Sequence, residues 1–177
     1  MRERDEPFRT PFLFEETEKE TRRMKKDETN VLINLLAIAK YDQAPDYPIQ
    51  FMTSGTLSMK EEGGAVLEYR ETDQDEETGE VSTSLIRLAM EKNQVTMTRE
   101  GEYSNTMVFM PERRYEGVYQ TPFGEMDMAV YSKGVSCDIG KEKGSVHLRY
   151  QLALQGAYVS THELHLEYTA NRKDRAQ

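Results

Sequence analysis

Apolar and polar residues alternate along the chain with a period of two from residue 29 onward, which is the pattern of strands with one buried face. Over residues 146–154, apolar side chains occupy every second position, with His147, Arg149 and Gln151 between them. The same alternation recurs in four further segments: residues 31–39, 49–59, 86–90 and 164–168. The period differs from the 3.6 of an amphipathic helix, so the chain is predicted to be all-β.

Turn-forming residues separate these runs at regular intervals. They are Glu62-Gly63-Gly64, Thr78-Gly79-Glu80, Lys92-Asn93, Gly101, Pro111-Glu112-Arg113, Pro122-Phe123-Gly124 and Lys141-Glu142-Lys143-Gly144. Their spacing predicts about nine or ten strands in sequential hairpins. Hairpin order without a long crossover favours an antiparallel up-and-down barrel of about eight to ten strands, because closure removes exposed strand edges.

The predicted barrel spans residues 26–170, between a charged N-terminal extension (1–25) and a short basic tail (171–177). Residues 15–28 hold eleven charged residues in fourteen, a composition typical of disorder. Two alternatives remain open for the extension. In one, its large apolar residues anchor it on a surface (Phe8, Phe12, Leu13 and Phe14). In the other, the natural protein starts at Met24. N-terminal mass spectrometry of the native protein would test the second alternative.

The charge of the chain is acidic, with 23 basic and 32 acidic residues and a net charge of −9 among 177 residues. A length of this size favours a single domain. Residues 1–28 are nearly neutral, so almost all of the net charge falls on the predicted barrel. An acidic barrel argues against nucleic acid and against anionic membranes as partners.

Cys137 is the single cysteine, so no intramolecular disulfide can form, and a reducing compartment fits best. The first residues lack the pattern of a signal peptide, and no apolar run approaches the roughly 20 residues of a membrane helix. These features predict a cytoplasmic protein. Cys137 alternates with Val135 and Ile139, which predicts a buried structural thiol rather than a nucleophile.

The common catalytic and metal-binding motifs are not present in the sequence. His147 and His165 fall on the polar face of their strands, and only His162 falls on the inward face. The acidic run over residues 73–80 has Thr78 where a calcium-binding loop requires glycine, so it is predicted to be a solvated hairpin tip. We therefore predict no metal and no cofactor.

Charged and phenolic residues occur on the predicted inward faces. Arg99 shares its face with Val95 and Met97, and Glu71 shares its face with Tyr69. A buried charge is costly unless it is paired, so one interpretation is structural: Arg99 pairs with Glu71 or with tyrosine hydroxyls near the end of the barrel. The other is a site in the barrel mouth that presents donors to an anionic or polar small ligand. The candidate ligand-binding residues are Arg99, Tyr69, Glu71, Tyr119 and Thr121.

Six methionines are also predicted to point inward: Met59, Met90, Met97, Met107, Met126 and Met128. Methionine fills irregular gaps in ordinary cores, and it is also common at adaptable binding surfaces. The sequence leaves both interpretations open.

Several motifs in the second half of the chain resemble a known family. They are Val95-Thr-Met-Thr-Arg-Glu-Gly101, Ser104-Asn-Thr-Met-Val-Phe109, Tyr119-Gln-Thr-Pro-Phe-Gly124 and the Leu148-x-Tyr-x-Leu152 strand. In this order they resemble the uncharacterised YwiB-like family of calycin-type β-barrels. The resemblance implies a lipocalin- or streptavidin-like barrel and no assigned activity. The charged segment before Met24 departs from the family pattern.

Three functional hypotheses follow. The first is a non-enzymatic barrel that binds a small, unidentified ligand, with Arg99 as the polar anchor. The second is a structural or protein-interaction barrel with a filled core, suggested by outward apolar residues (Leu32, Leu36, Val118 and Tyr131). The third is an enzyme of unknown class, which would need a pocket holding Arg99, Glu71 and His162 with a perturbed pKa. The sequence does not identify the ligand or the oligomeric state.

Overall fold

The structure, a computed structural model, describes residues 28–175. The predicted N-terminal extension lies outside the described residues. Within them the chain forms ten strands and one short 3₁₀ helix. The strands are β1 (Glu28–Tyr41), β2 (Ala44–Met59), β3 (Ala65–Gln74), β4 (Val81–Glu91), β5 (Gln94–Glu100), β6 (Ser104–Phe109), β7 (Arg114–Thr121), β8 (Gly124–Asp138), β9 (Lys143–Leu154) and β10 (Ala157–Ala170), and the helix covers Arg172–Arg175.

The ten strands form one closed antiparallel barrel in which each strand pairs with its neighbours in sequence. The barrel closes where β1 pairs with β10, along a ladder that runs from Val31–Ala170 to Lys40–Thr161. The predicted all-β, up-and-down barrel of eight to ten strands is therefore confirmed, at the upper end of that range.

The seven predicted turns all fall at strand connections, although Gly124 already belongs to β8, and Lys143 and Gly144 belong to β9. Two further hairpin turns were not predicted from the sequence. Asp42-Gln43 connects β1 to β2, and Gln155-Gly156 connects β9 to β10. Gln155 and Gly156 have φ angles of 51° and 77°, as a two-residue hairpin turn of the favoured handedness requires. Glutamine is an unusual residue for such a position. Here the turn is held by hydrogen bonds of 2.8 Å between Gln155 and the backbone of Asp127.

The two ends of the barrel differ in how they are packed. The end that carries the turns at residues 60–64, 92–93, 110–113 and 139–142 is called the closed end here, and the opposite end is called the mouth. Large side chains with an exposed fraction of 2% or less fill the closed end, among them Ile33, Leu57, Leu67, Leu88, Phe109, Val146, Leu166 and Tyr168. The predicted inward faces of β4, β9 and β10 are confirmed by this packing.

The barrel wall has a gap between β2 and β3 near the mouth. The ladder between these strands covers only five pairs, from Gly55–Tyr69 to Met59–Ala65. Among residues 28–175, β2 pairs with β1 alone beyond Gly55, and β3 pairs with β4 alone beyond Tyr69. Residues 44–54 of β2 and residues 70–74 of β3 therefore form two facing strand edges, which are called the β2–β3 split here.

Candidate functional site

A cavity with a volume of about 880 Å³ occupies the mouth half of the barrel, within the usual range for small-molecule sites. Its walls are mainly apolar and come from β1, β2, β5, β6, β8, β9 and β10. These wall residues are Leu35, Ala37, Ile49, Phe51, Met97, Met107, Met128, Leu152, Leu154 and Leu164. The interior is therefore filled at one end and open at the other, unlike the solid barrel of the second hypothesis.

The predicted inward methionines divide between the two halves. Met97, Met107 and Met128 line the cavity, whereas Met90 is fully buried and Met59 packs against the core. The sixth, Met126, is half-buried opposite Tyr119 and belongs to neither group. Flexible thioethers thus form part of the cavity wall, where they can adapt to the shape of a guest.

An ion pair lies inside the cavity. The Arg99 guanidinium donates a hydrogen bond of 2.6 Å from Nη2 to Oε2 of Glu71, so the predicted pairing of these residues is confirmed. Arg99 lies on β5 and Glu71 on β3, so their side chains meet across the inner face of β4. Their side chains keep 31% and 26% of their surface exposed, since both line the cavity.

Three tyrosines lie close enough to Arg99 for its charge to act on their hydroxyls. Burial raises the pKa of Tyr69 far above its usual value, and nearby Glu71 raises it further while Arg99 opposes the shift. Burial raises the pKa of Tyr150 to about 12, again opposed by Arg99. The pKa of Tyr119 is also raised by burial. All three therefore remain neutral phenols that can donate a hydrogen bond at neutral pH.

Asn105 supplies an unsatisfied acceptor at the same site. It pairs with Arg99 across the β5–β6 ladder, and its side chain lines the cavity. Its Oδ1 atom is buried and has no hydrogen-bond partner within residues 28–175. A buried acceptor without a partner costs about 1–3 kcal/mol, so the Asn105 amide would gain from turning toward a hydrogen-bond donor.

His162 also lines the cavity, as its inward position predicted. Its Nε2 atom lies 2.7 Å from Oγ of Ser160, and its ring stacks on Tyr150 with centroids 5.0 Å apart. Burial lowers the pKa of His162, which keeps the ring neutral near pH 7. Ser160 is only 1% exposed and does not line the cavity, so it orients the ring instead of meeting a guest.

The five predicted ligand-binding residues do not all meet at the site. Arg99, Glu71, Tyr69 and Tyr119 line the cavity, but Thr121 does not. The Thr121 hydroxyl donates to the Gly124 carbonyl at 2.9 Å and accepts from the Phe123 amide at 3.1 Å, so it stabilises the β7–β8 turn. The alternation of β7 places Thr121 on the same side as Tyr119, but Thr121 is the last residue of the strand and lies outside the cavity.

Sequence reasoning missed Asn105 and took Tyr150 only for a core residue. Asn105 falls on the same face of β6 as Met107 and Phe109, so an amide on an otherwise apolar face was the available signal. Tyr150 could not be separated from an ordinary core residue, because its role depends on Arg99 and His162, which lie far away in sequence.

Other predicted features lie outside the cavity. His147 and His165 face each other across strands on the outer surface, with their Nδ1 atoms 3.3 Å apart. Cys137 packs against the core with Val135 and Ile139, as predicted, and burial raises the pKa of its thiol to about 11. The acidic run forms an exposed hairpin tip, in which Asp75 accepts hydrogen bonds from the Glu77 and Thr78 amides.

Residues 28–175 contain no group of three or more histidine, cysteine, aspartate or glutamate side chains arranged to hold a metal ion. The same residues include no helix that is long and apolar enough to span a membrane. The polar side chains that line the cavity and could bind an organic guest include tyrosine, asparagine, histidine, arginine and glutamate.

Comparison with known proteins gives a consistent result. A family model described as "Domain of unknown function (DUF1934)" matches residues 33–166. The chain is 22% identical over 143 residues to the uncharacterized beta-barrel protein YwiB of Bacillus subtilis (strain 168), covering 81% of this chain and 95% of that protein. The crystal structure of ywiB protein from Bacillus subtilis matches with a TM-score of 0.66 and 19% identity, covering 82% of this chain and 94% of that one.

Proposed function

The chain belongs to the DUF1934 family of domains of unknown function, and from that premise we propose that its barrel binds a small, neutral, amphipathic molecule in the mouth-end cavity. The observation that carries this proposal is the combination of an open, mainly apolar cavity with a partly exposed Arg99–Glu71 ion pair among its lining residues. Used in this way, the barrel acts as a lipocalin-like carrier, and the acidic charge and lone Cys137 favour a cytoplasmic setting.

The charge balance of the inner cavity favours a neutral guest over an anion. Glu71 already neutralises Arg99 at 2.6 Å, and the neighbouring tyrosines and His162 are kept neutral by burial. An anion would have to displace the Glu71 carboxylate and leave it unpaired beside the guest, which is costly. A neutral polar group can instead bond to the pair without breaking it.

The polar end of the guest is expected at the Arg99 cluster, and its apolar body along the methionine and leucine wall. The Glu71 carboxylate can accept a hydrogen bond from the guest, whereas the hydroxyls of Tyr69 and Tyr150 can donate to it. A hydroxyl or amide group both donates and accepts, so it matches this set of partners.

The experiment compares the native protein with an Arg99→Met variant and a matched control, Arg87→Met. Arg87 forms an ion pair with Glu68 of the same 2.6 Å length, but on the outer surface. Protein purified under native conditions is extracted with organic solvent, the extract is analysed by mass spectrometry, and each recovered compound is titrated by thermal shift and calorimetry. We expect a compound recovered from the native protein and from Arg87→Met, with at least tenfold weaker binding to Arg99→Met.

Two results would contradict the proposal. One is equal binding by Arg99→Met and Arg87→Met, which would place the guest outside the cavity. The other is recovery of no compound, together with no stabilisation by any neutral amphipathic molecule in a metabolite panel.

A second candidate function, acid–base catalysis on the guest, is favoured by one observation. The cavity holds Arg99, Glu71 and His162 together, and the pKa of His162 is lowered by burial, which is the arrangement that the enzyme hypothesis required. If it is correct, the extracted compound is converted by native protein, while His162→Gln binds it and leaves it unchanged. An unchanged compound after incubation with native protein would exclude this candidate.

A further inference from the structure

The β2–β3 split leaves backbone groups without ladder partners on both of its edges. On β2, residues 49–54 pair only with β1, and on β3, residues 70–74 pair only with β4, within the part of the chain that the structure describes. Strand edges of this kind are templates for pairing with another extended chain. The split presents two such edges, as do β6 and β7 beyond their two-pair ladder, but among the described strands only the β2–β3 split has cavity-lining residues on both of its unpaired edges.

The cavity passes through the barrel wall at this opening. Met52, Arg70 and Thr72 lie on the outward faces of β2 and β3, and Met52 is 74% exposed. All three nevertheless line the cavity, together with inward residues of the same two strands. A segment lying in the split would therefore reach both the cavity and the outer surface through alternate side chains.

We propose that the β2–β3 split binds an extended peptide segment of another protein by strand addition, with a basic side chain of that peptide directed inward. The segment pairs with residues 49–54 on one side and residues 70–74 on the other, so both of its edges are satisfied. Because β2 and β3 are antiparallel, it runs parallel to one and antiparallel to the other. Pro48 lacks an amide hydrogen and limits the paired stretch toward the mouth.

The side chains beside the split define the chemistry of the peptide. On the inner side, Ile49 and Phe51 of β2 offer apolar contacts, and Glu71 and Asp73 of β3 offer carboxylates. Glu71 is paired with Arg99, whereas Asp73 is exposed and stands beside the opening. A peptide that alternates apolar residues with a lysine or arginine complements this surface, and the acidic hairpin tip that follows β3 adds long-range attraction.

The binding test uses three blocked octapeptides. The first alternates valine with lysine, the second replaces lysine with glutamate, and the third keeps the first sequence but carries N-methyl groups on alternate backbone amides. We expect the lysine peptide to bind native protein, with at least about tenfold weaker binding of the N-methylated form, because each lost backbone hydrogen bond removes on the order of 1 kcal/mol. The glutamate peptide should also bind more weakly than the lysine peptide.

Hydrogen exchange locates the bound peptide. Amides of residues 49–54 and 70–74 should exchange at least about tenfold more slowly with the lysine peptide bound, while amides at the closed end keep their rates. Asp73→Asn should reduce the preference for lysine over glutamate, and Asp138→Asn, at the closed end of β8, is the matched control.

A covalent lock tests the opening itself. Extending the β2–β3 register by one pair places Ser54 opposite Arg70, so Ser54→Cys with Arg70→Cys, in a Cys137→Ser background, joins the two edges. The oxidised protein should bind the peptide more weakly, because the cross-link closes the innermost pair of the split, and reduction should restore binding. This readout does not depend on the small guest, because guest binding by Arg99→Met and peptide binding by the locked variant are measured separately.

Three results would overturn the inference. Equal affinity for the N-methylated and unmodified peptides would exclude strand pairing. Protection of amides elsewhere, without change at either edge, would place the peptide at another surface. Concentration-dependent dimerisation that protects residues 49–54 without peptide would make a second copy of the chain the occupant.

Discussion

At the residue scale, Tyr168 illustrates how one side chain supports the closed end. Its ring is 1% exposed, and its hydroxyl donates to the Gly140 carbonyl at 2.8 Å and accepts from the Gly140 amide at 3.1 Å. This hydroxyl satisfies both backbone groups of a turn residue between β8 and β9. Gly144 must be glycine beside it, since a Cβ atom there would collide with the Tyr168 hydroxyl and the Asp138 carbonyl.

We predict that Tyr168→Phe lowers the free energy of unfolding by about 1–3 kcal/mol, because it removes the hydrogen-bond partner of the Gly140 amide and carbonyl. Urea denaturation monitored by circular dichroism measures the loss. The control is Tyr158→Phe, because Tyr158 is 45% exposed and bonds only to the Thr161 hydroxyl. Equal effects of the two substitutions would show that the turn does not depend on the Tyr168 hydroxyl.

His162 gives a prediction about pH. Burial lowers its pKa in the folded state below the ordinary value of 6.5, so the unfolded chain binds this proton more readily. Stability contributed by the neutral ring is fully present above about pH 6.5 and is lost as the pH falls from that value through the lowered pKa of the folded state. Urea midpoints between pH 8 and pH 5 should therefore fall more steeply for native protein than for His162→Gln, and parallel profiles would contradict this.

At the scale of elements, Gly55 determines where β2 and β3 can meet. It begins the short ladder between these strands, opposite Tyr69. A Cβ atom at this position would collide with the Glu68 carbonyl and approach Cδ1 of Ile33 at 2.8 Å. The two backbones therefore approach closely only because residue 55 has no side chain.

We predict that Gly55→Ala lowers the free energy of unfolding by about 1–3 kcal/mol through overpacking. Gly134→Ala is the control, because a Cβ atom there meets only Cβ of Arg149, at an ordinary 3.6 Å. Thermal or urea denaturation of both variants provides the comparison. A neutral Gly55→Ala would mean that the strands can separate further without cost.

The strands of the barrel could be predicted from sequence, because alternation along each strand is a local signal. The alternation of Val146, Leu148 and Tyr150 predicted a buried face, and the turns that contain glycine and proline predicted the order of the hairpins. The β2–β3 split could not be predicted in this way. Residues 49–51 look like an ordinary inward face, yet Ile49 is 46% exposed, because pairing between two strands depends on both of them and on the twist of the whole sheet.

At the scale of the whole molecule, the filled and open halves should differ in chemical access. Cys137 packs on the filled half and is half-buried, and burial raises the pKa of its thiol to about 11. At pH 8 its thiolate fraction is on the order of 100-fold below that of a free cysteine.

We predict that a disulfide reagent at pH 8 labels Cys137 on the order of 100-fold more slowly in native protein than in protein unfolded by urea. The time course of a chromogenic thiol assay, with free cysteine as the reference, measures both rates. Native labelling as fast as that of free cysteine would show that the closed end opens readily.

The candidate site was only partly predictable, for a reason that also belongs to this scale. The pairing of Arg99 with Glu71 followed from two inward charges on one small barrel, since a buried charge needs a partner. The contributions of Asn105 and Tyr150 did not follow, because strand parity gives the direction of a side chain but not its height along the barrel axis. Thr121 shows the same limit, since it is on the predicted inward side of β7 but lies outside the cavity.

The seam between β1 and β10 has a consequence for biosynthesis. These strands are the first and the last of the barrel, and they share a ladder that ends beside the hydrogen bond of 2.8 Å from the Asn171 amide to the Asn30 carbonyl. During translation, the barrel cannot close until β10 has left the ribosome. One edge of β1 therefore stays unpaired in the nascent polypeptide, where it is prone to aggregation. Conversely, a circular permutant that links the end of β10 to the start of β1 and opens at Asp42-Gln43 keeps these two strands within one continuous hairpin.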